Sequence, residues 1–569
     1  MKNYQDGGEA ILEALRRLKT DYVISSPGSE WAPFWEALAR QKRDGKEGPS
    51  YIDVGHESIA VNMATAYTKI TGKMQAVMLH AGAGMLQGAM AVDAAGAMET
   101  PLVIMSGEVL GYGEGHIDPG SQWYRNLSVV GGTQHLINPV VKWSQQVASI
   151  DTLHESIVRA GEIAQRGPKG PTYICIPMET MLEPWDRPEL LREVPPAPKS
   201  APLAEDIERV AVALTSAKCP VISTANLGPD TDAFDALVVL AETLGAPVVE
   251  GQDAFFGNFP KTHDLYLGQS IEPLLQEMDL ALLVESRAPW YPPSNRPTDA
   301  RIIAIGENPL KEHMVYQTMH ADTYLEGNTA TTLKMLVDAL EQHGIDKSVV
   351  AKRRENWRKA HDELLERLST VEAEAASATT ITPPLVMKAL RDVAPTNCSV
   401  IDETIVHQIG IREHLMWDDP LTFFRAPSGL GQGLGYALGV KLALPERLVA
   451  VTIGDGSFMY NPVVPTLALS DEQNLPLLIL VFNNSQYAVM KHFHKRFYPD
   501  GAAVGDDDYY GVHIKGPSYE EAAAMIGGYS ERVDDPAVLP GAIKRAAASV
   551  RAGKTAILNV IMPGDGGVR

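Results

Sequence analysis

Two polar clusters in the last third of the chain stand where two apolar runs end. The run "LVAVTIGDG" places Asp455 between Gly454 and Gly456, and the run "LPLLILVFNN" ends in Asn483 and Asn484, with 26 residues between the clusters. In an open parallel sheet, ligands bind beyond the carboxyl ends of the strands. Carboxylate, amide and backbone carbonyl oxygens suit Mg²⁺, which often shares phosphate oxygens with a bound molecule. The pattern therefore favours a site for magnesium and a diphosphate.

Each cluster alone has an ordinary structural explanation. Gly-Asp-Gly is typical of a turn, and Asn-Asn is typical of a helix cap. Because both clusters follow apolar strand-like runs at this spacing, we favour the metal site over two unrelated turns.

The rest of the chain supplies elements that can position these clusters. Short apolar runs alternate with amphipathic segments over most of the 569 residues. This alternation predicts the α/β class, with parallel sheets flanked by helices. A proline-rich segment at 193–207 and a long charged helix divide the chain into predicted domains. Their ranges are 1–188, 200–342 and 378–569, with 343–377 as a linker helix.

Composition excludes several classes of partner. Asp and Glu outnumber Lys and Arg by 71 to 49, which gives a net charge of −22. A field of this sign repels phosphate backbones and anionic lipids, so we expect neither a nucleic-acid nor a membrane partner. The three cysteines match no disulfide or zinc pattern, and no segment reads as a signal peptide. We expect a cytoplasmic protein.

The spacing of "GDG" and "NN" resembles the fingerprint of enzymes that depend on thiamine diphosphate (ThDP). The chain is similar to the benzoylformate decarboxylase, pyruvate decarboxylase and acetolactate synthase group over essentially its whole length. The resemblance implies three domains, which bind the pyrimidine, form a central domain and bind the diphosphate. It also implies Mg²⁺ held by Asp455, Asn484 and the carbonyl of Gln486. Some relatives bind FAD or a nucleotide in the central domain, and "RIIAIGENPL" does not decide this point.

The same resemblance assigns further cofactor contacts. The glycine-rich segment "SGLGQGLGYALG" would support the aminopyrimidine, with Leu430 as the bulky residue that keeps the cofactor bent. The residues assigned to cofactor binding are Ser428, Leu430, Gly454, Asp455, Gly456, Ser457, Asn484, Gln486 and Tyr487.

Glu57 in "YIDVGHESIAVNM" matches the carboxylate that activates the cofactor through the pyrimidine N1′. A glutamate in the first turn of a helix is otherwise a common response to the helix dipole. In the family this carboxylate meets the diphosphate site of another subunit. The resemblance therefore implies at least a dimer, with a homotetramer expected.

Several motifs are most similar to benzoylformate decarboxylase. Ser29 in "SSPGSEWAPF" matches a serine that contacts the substrate carboxylate, and His80 in "VMLHAGAG" matches a proton-transferring histidine. Imidazole suits this role because its ordinary pKa lies near neutrality. The resemblance implies a lyase that cleaves the C1–C2 bond of a 2-oxo acid through an enamine intermediate. The positions proposed to line the substrate pocket are His407, Val489, Met490 and Phe493, although the last three could be core residues.

Departures from the group keep alternatives open. The segment "ESRAPWYPPSNRP" offers no second catalytic histidine, and the motifs of pyruvate decarboxylase and acetolactate synthase are also missing. A carboligase of the acetolactate synthase type and a lyase of 2-hydroxy ketones or 2-hydroxyacyl-CoA remain alternatives. An inactive homologue that only binds ThDP is the alternative outside the enzymes.

Overall fold

Three separate parallel sheets organise the chain. The structure is a computed structural model that describes residues 5–108, 131–251, 254–311, 320–416, 418–427 and 429–564. Every strand pair in the three sheets is parallel, and helices connect the strands. The predicted α/β class, with parallel sheets flanked by helices, is confirmed.

The first sheet has six strands in the order β2-β1-β3-β4-β6-β5. Its strands are β1 (Tyr22–Ser26), β2 (Ser50–Asp53), β3 (Gln75–Leu79), β4 (Leu102–Glu108), β5 (Trp143–Gln146) and β6 (Thr172–Pro177). The middle sheet has five strands in the order β11-β10-β9-β7-β8. Its strands are β7 (Pro220–Thr224), β8 (Val248–Glu250), β9 (Leu280–Val284), β10 (Arg301–Gly306) and β11 (Thr323–Glu326).

The third sheet has six strands in the order β13-β12-β14-β15-β17-β16. Its strands are β12 (Cys398–Glu403), β13 (Phe423–Arg425), β14 (Leu448–Gly454), β15 (Leu478–Asn483), β16 (Tyr529–Val533) and β17 (Ala556–Ile561). Each sheet lies inside one of the three predicted domain ranges, and the boundaries themselves stay a prediction.

Nineteen α-helices cover the sheets within the described ranges. The first ten are α1 (Gly7–Arg17), α2 (Ala32–Arg43), α3 (Glu57–Thr71), α4 (Ala83–Ala97), α5 (Thr133–Ile137), α6 (Ile150–Gln165), α7 (Met178–Leu182), α8 (Ala204–Ser216), α9 (Thr231–Leu244) and α10 (Thr329–His343). The others are α11 (Lys347–Ala376), α12 (Pro383–Val393), α13 (Gln408–His414), α14 (Gly433–Ala443), α15 (Asp455–Tyr460), α16 (Val463–Glu472), α17 (Ala488–Phe497), α18 (Ala502–Asp506) and α19 (Leu539–Arg551). None of these helices is long and apolar enough to span a bilayer.

The continuous apolar runs form strands because both faces of each sheet are covered. In β9, Leu280 and Leu282 pack into one core of the middle sheet, while Ala281 and Leu283 pack into the core on its other face. Successive side chains of a strand point to opposite faces, so a strand buried on both faces needs apolar residues at every position. This requirement explains why these strands show no polar alternation.

The described residues form two compact units. The first unit comprises described residues of Met1–Pro198, Pro427–Ala443 and Val464–Leu469. The second comprises those of Lys199–Ala426, Leu444–Val463 and Ser470–Arg569.

Helix α14, from the glycine-rich segment, packs in the first unit against α3, the helix that begins at Glu57. Glycines permit the close approach. A Cβ atom on Gly435 would lie 3.1 Å from the Cα of Ile59, and one on Gly439 would lie 2.3 Å from the carbonyl oxygen of Met63. The glycines therefore set the distance between these two helices.

The substitution Gly439→Ala tests this packing. We expect it to lower the free energy of unfolding by about 1–3 kcal/mol, because the added methyl group forces the helices apart. Urea unfolding followed by circular dichroism measures the effect. The control is Gly505→Ala in α18, where an added Cβ meets no heavy atom within 4 Å. An equal change in the free energy of unfolding for both variants would contradict the close contact between α14 and α3.

Candidate active site

Asp455 and Asn484 follow neighbouring strands of the third sheet. Strands β14 and β15 pair in parallel, with Gly454 opposite Phe482, so Asp455 and Asn484 lie at the same edge. Asp455 begins the short helix α15, and both side chains are buried. The structure thus brings together the two clusters that the sequence places 26 residues apart.

The buried carboxylate of Asp455 is only partly satisfied. Its Oδ1 accepts a hydrogen bond from the backbone N–H of Gly456 at 2.9 Å, whereas Oδ2 has no hydrogen-bond partner among the described residues. Burial raises the pKa of Asp455 to about 6, against the lowering effect of the N–H groups of Gly456 and Ser485. A divalent cation at Oδ2 would stabilise the charged carboxylate in this buried position.

The segment after Asn484 is held by backbone hydrogen bonds. Asn484 accepts a hydrogen bond from the N–H of Gln486 at 3.2 Å through Oδ1. The N–H of Tyr487 donates to the carbonyl of Val512 at 2.8 Å, and the N–H of Ile514 donates to that of Ser485 at 2.9 Å. This short antiparallel ladder fixes the backbone that carries the predicted Mg²⁺ ligands.

The glycines around Asp455 differ in what they contact. A Cβ on Gly456 would lie 2.4 Å from the ring of Tyr487, whereas one on Gly454 would meet only Ser457 Oγ, at 3.7 Å. Gly456 is therefore required by the tyrosine ring that packs on it. Ser457 is buried in the first turn of α15.

Glu57 and His80 approach each other in the first unit. Glu57 is the first residue of α3, and His80 directly follows β3. Gly84 in α4 lies between them, because a Cβ there would be 2.8 Å from His80 Cβ and 3.2 Å from Glu57 Oε1. Two residues predicted from separate motifs therefore share one site.

Glu30 is a site residue that is absent from the sequence-based predictions. Its Oε1 and Oε2 lie 2.9 and 3.0 Å from Nδ1 of His80, and its side chain is fully buried. The hydrogen bond with Glu30 raises the pKa of His80 above its ordinary value; burial opposes the increase, and the charge of Glu57 adds to it. The only signal in the sequence is an acidic residue directly after Ser29.

Ser29, predicted to contact the substrate, and the predicted cofactor contact Leu430 both lie in turns. Ser29 is exposed at the start of a short 3-10 turn, Ser29–Trp31. Leu430 is half-buried between Gly429 and Gly431, whose φ values of +87° and +93° favour glycine. Ser428 lies outside the described residues.

The four proposed pocket residues differ in burial. His407 is 3% exposed and packs edge-to-face on Phe482, with ring centroids 5.4 Å apart. Its Nε2 has no hydrogen-bond partner in the described part of the chain, and burial lowers its pKa to about 4. Val489 is half-buried, whereas Met490 and Phe493 are 54% and 47% exposed. Met490 and Phe493 are therefore not core residues of this chain.

Three domain families match successive ranges of the chain. Residues 5–127 match the family described as "Thiamine pyrophosphate enzyme, N-terminal TPP binding domain". Residues 207–336 match the central domain of these enzymes, and residues 406–560 match their C-terminal TPP binding domain. The last two ranges contain the middle and third sheets, except for β12, which precedes residue 406, and the last residue of β17, Ile561.

Similar proteins include enzymes with different reactions. Benzoylformate decarboxylase from Pseudomonas aeruginosa is 27% identical over 95% of this chain and 96% of its own length. The acetolactate synthase large subunit from Haemophilus influenzae is 24% identical over 86% of this chain and 84% of its own.

A solved structure supports the fold. The crystal structure of benzoylformate decarboxylase from Polynucleobacter necessarius superposes with a TM-score of 0.80 at 20% identity, covering 98% of this chain and 99% of that one. At this identity the likeness concerns the fold alone. From the three domain matches together, we conclude that the chain belongs to the family of thiamine pyrophosphate (thiamine diphosphate) enzymes.

Proposed function

We propose that the protein is a ThDP- and Mg²⁺-dependent lyase that cleaves the C1–C2 bond of a 2-oxo acid and releases an aldehyde and carbon dioxide. The observation that carries this proposal is the approach of Glu57 and His80 around Gly84. It combines the carboxylate expected to activate the cofactor with an imidazole able to transfer a proton. The similarity to benzoylformate decarboxylase from P. aeruginosa supports the same reaction.

The donors at the edge of the third sheet suit a magnesium diphosphate. Asp455, Asn484 and the carbonyl of Gln486 would hold Mg²⁺, and the unpartnered Oδ2 of Asp455 supports this role. Gly454, Gly456, Ser457 and Tyr487 would surround the diphosphate, while Leu430 and Ser428 would contact the thiazolium and pyrimidine parts of the cofactor. When bound, ThDP accepts the electron pair that the C1–C2 bond of the substrate releases.

The first unit would supply the groups that move protons. Glu57 would hold a proton at N1′ of the pyrimidine, and His80 would exchange one with the substrate. Ser29, exposed at the start of its turn, would bind the substrate carboxylate. His407, Val489, Met490 and Phe493 would contact the other end of the substrate, where apolar side chains favour an apolar group.

Self-association is part of the proposal. Glu57 of one copy would act on the cofactor held by Asp455 of a second copy, in a homodimer that can pair further into a homotetramer. Exposed apolar side chains on two helices support such contacts: Leu86 and Met90 in α4, and Met490, Phe493 and Phe497 in α17. Cys175, Cys219 and Cys398 are all free thiols, which suits the cytoplasmic location that we propose.

Carboligation is the second candidate. The similarity to the acetolactate synthase large subunit from H. influenzae favours it, because that enzyme is named for a synthesis and not for a decarboxylation. A lyase of 2-hydroxy ketones or 2-hydroxyacyl-CoA would use the same cofactor site. An inactive ThDP-binding homologue is disfavoured by the presence of Glu57, Asp455 and Asn484 in the arrangement described.

Product analysis separates the two reactions. We expect the protein with ThDP and Mg²⁺ to convert an aromatic or branched 2-oxo acid to its aldehyde, because His80 can protonate the carbon that loses carbon dioxide. The products are separated by chromatography after incubation with a series of 2-oxo acids, including benzoylformate and pyruvate. Acyloins as the sole products from every acid would rule out the decarboxylase.

The substitution Glu57→Gln tests cofactor activation. We expect turnover to fall by about 100-fold or more, as is usual when a proton-transferring group is lost, while ThDP still binds. Turnover and calorimetric ThDP binding are measured together. The matched control is Glu36→Gln in α2, whose side chain is 65% exposed. Wild-type turnover in the Glu57 variant would contradict the assignment.

The substitution Asp455→Ala tests the metal site. We expect the affinity for ThDP in the presence of Mg²⁺ to fall by at least about 10-fold, because the one carboxylate among the proposed ligands is lost. Isothermal titration calorimetry measures this affinity without any need for turnover. Asp471→Ala, at an exposed position, is the control. Unchanged affinity would remove Asp455 from the metal site.

Mixing these two variants tests whether the site combines two copies. In a mixed dimer of Glu57→Gln and Asp455→Ala, one site carries both substitutions and the other carries neither. Co-expression should restore roughly a quarter of the wild-type activity if the copies pair at random. No recovery in mixed dimers would show that each chain builds its own site.

A further inference from the structure

The carboxylate of Glu30 accepts hydrogen bonds from two donors next to the proposed site. Both of its oxygens lie within 3.0 Å of Nδ1 of His80. Its Oε1 also accepts a hydrogen bond from the backbone N–H of Ala81 at 2.8 Å. The side chain of Glu30 is fully buried, whereas that of His80 is 24% exposed. The carboxylate is therefore shielded from solvent, whereas part of the imidazole is accessible.

Glycines make room for this pair. A Cβ on Gly28 would lie 1.8 Å from Nδ1 of His80 and 2.2 Å from Oε2 of Glu30. A Cβ on Gly107 would lie 2.1 Å from Cγ of Glu30. Any other residue at either position would displace the carboxylate or the imidazole. The Glu30 side chain is thus confined between two backbone segments.

The neighbouring tryptophan anchors the turn that carries Glu30. The indole N–H of Trp31 donates a hydrogen bond to the carbonyl of Leu79 at 2.9 Å, and the ring is fully buried. Leu79 is the last residue of β3 and directly precedes His80. The turn and the end of the strand are therefore fixed to each other on both sides of the Glu30–His80 contact.

Within the described ranges, two carboxylates are the charged groups that act on His80. Glu30 contacts it from the turn after β1, and Glu57 acts on it from the start of α3. Nδ1 of His80 donates a hydrogen bond to the carboxylate of Glu30. Loss of the Nδ1 proton would leave this buried negative charge without a partner, so the proton stays on Nδ1. The other ring nitrogen, Nε2, is left for exchange with a bound molecule. Positive charge on the ring is stabilised by both neighbours.

We propose that Glu30 is a positioning residue that keeps His80 in its charged form, with the Nε2–H as the proton donor. The proposal rests on the lyase reaction proposed above. In the step concerned, the Nε2–H bond breaks and a C–H bond forms at the carbon that has lost carbon dioxide. His80 is left neutral, with its remaining proton on Nδ1 held by Glu30, and it regains the Nε2 proton from water.

This role of Glu30 bears on which product forms. A carbon that is protonated at once leaves as an aldehyde, whereas one that stays unprotonated has time to attack a second carbonyl group. A site that holds a charged imidazole next to this carbon favours protonation. Glu30 therefore biases the chain toward decarboxylation and away from carboligation.

The titration of His80 tests the proposal in the protein without substrate. Imidazole ¹³C signals are followed by NMR against pH, and the His80 signal is assigned by its loss in His80→Asn. We expect Glu30→Gln to lower the pKa of His80 by about 1 unit or more, since a neutral amide replaces the carboxylate. The same substitution at Glu36, whose side chain is 65% exposed, should leave the titration unchanged. An unchanged pKa of His80 in Glu30→Gln would overturn the proposal.

Activity gives a second, separate readout. His80 stops acting as a proton donor when the pH rises above its pKa. Because Glu30→Gln lowers this pKa, aldehyde formation should end at a lower pH in the variant. The share of acyloin among the products should rise. Glu30→Asp keeps the negative charge but at a longer distance from His80. Its pH limit and acyloin share should therefore lie between those of the wild type and Glu30→Gln. It also provides a testable variant if Glu30→Gln fails to fold. If the titration shifts but no variant and no wild-type protein forms aldehyde, the lyase proposal fails while the Glu30–His80 interaction stands. A shifted titration with an unchanged pH limit would overturn the role of Glu30 in proton donation.

Discussion

The geometry of the parallel sheet determines where this chain can carry out chemistry. All strands of a parallel sheet present their carboxyl ends at one edge, so residues that follow different strands meet there. Asp455 and Asn484 meet after β14 and β15, and Glu57 and His80 follow β2 and β3 of another sheet. The covering helices favour apolar residues on both faces of the central strands, such as β9, β14 and β15, and the polar residues of the candidate site follow the strand ends. The site residues depend on this arrangement for their positions.

The fold class and the meeting of Asp455 and Asn484 at one edge of a sheet could be predicted because both depend on local patterns. Apolar runs without alternation indicate strands covered on both faces, and Gly-Asp-Gly and Asn-Asn mark the ends of two of them. Glu57 and His80 were proposed as individual site residues because the short motifs that contain them resemble those of known enzymes. Their approach to each other was not predictable, because it depends on how the segments that follow β2 and β3 meet around Gly84.

The contacts of Glu30 could not be predicted from the sequence. The residue stands next to Ser29 in a turn and resembles any exposed acidic residue there. It becomes buried only because Gly28 and Gly107 leave space for it, and these glycines come from segments nearly 80 residues apart. The exposure of Met490 and Phe493 was equally hidden, because their helical spacing suits a core as well as a surface. Such features depend on which distant segments meet, and periodicity carries no information about that.

The antiparallel ladder after Asn484 has a consequence for how this family can diversify. Its hydrogen bonds join Ser485 to Ile514 and Tyr487 to Val512, so the two ends of the segment between them are held together. This segment, which contains α17 and α18, is here called the excursion. Doubling the length of a loop whose ends are already joined costs only about 0.6 kcal/mol. Insertions and replacements within the excursion can therefore accumulate while Asn484 and Gln486 stay in place. Evolution can alter the part of the chain proposed to meet the substrate without rebuilding the part proposed to hold the cofactor.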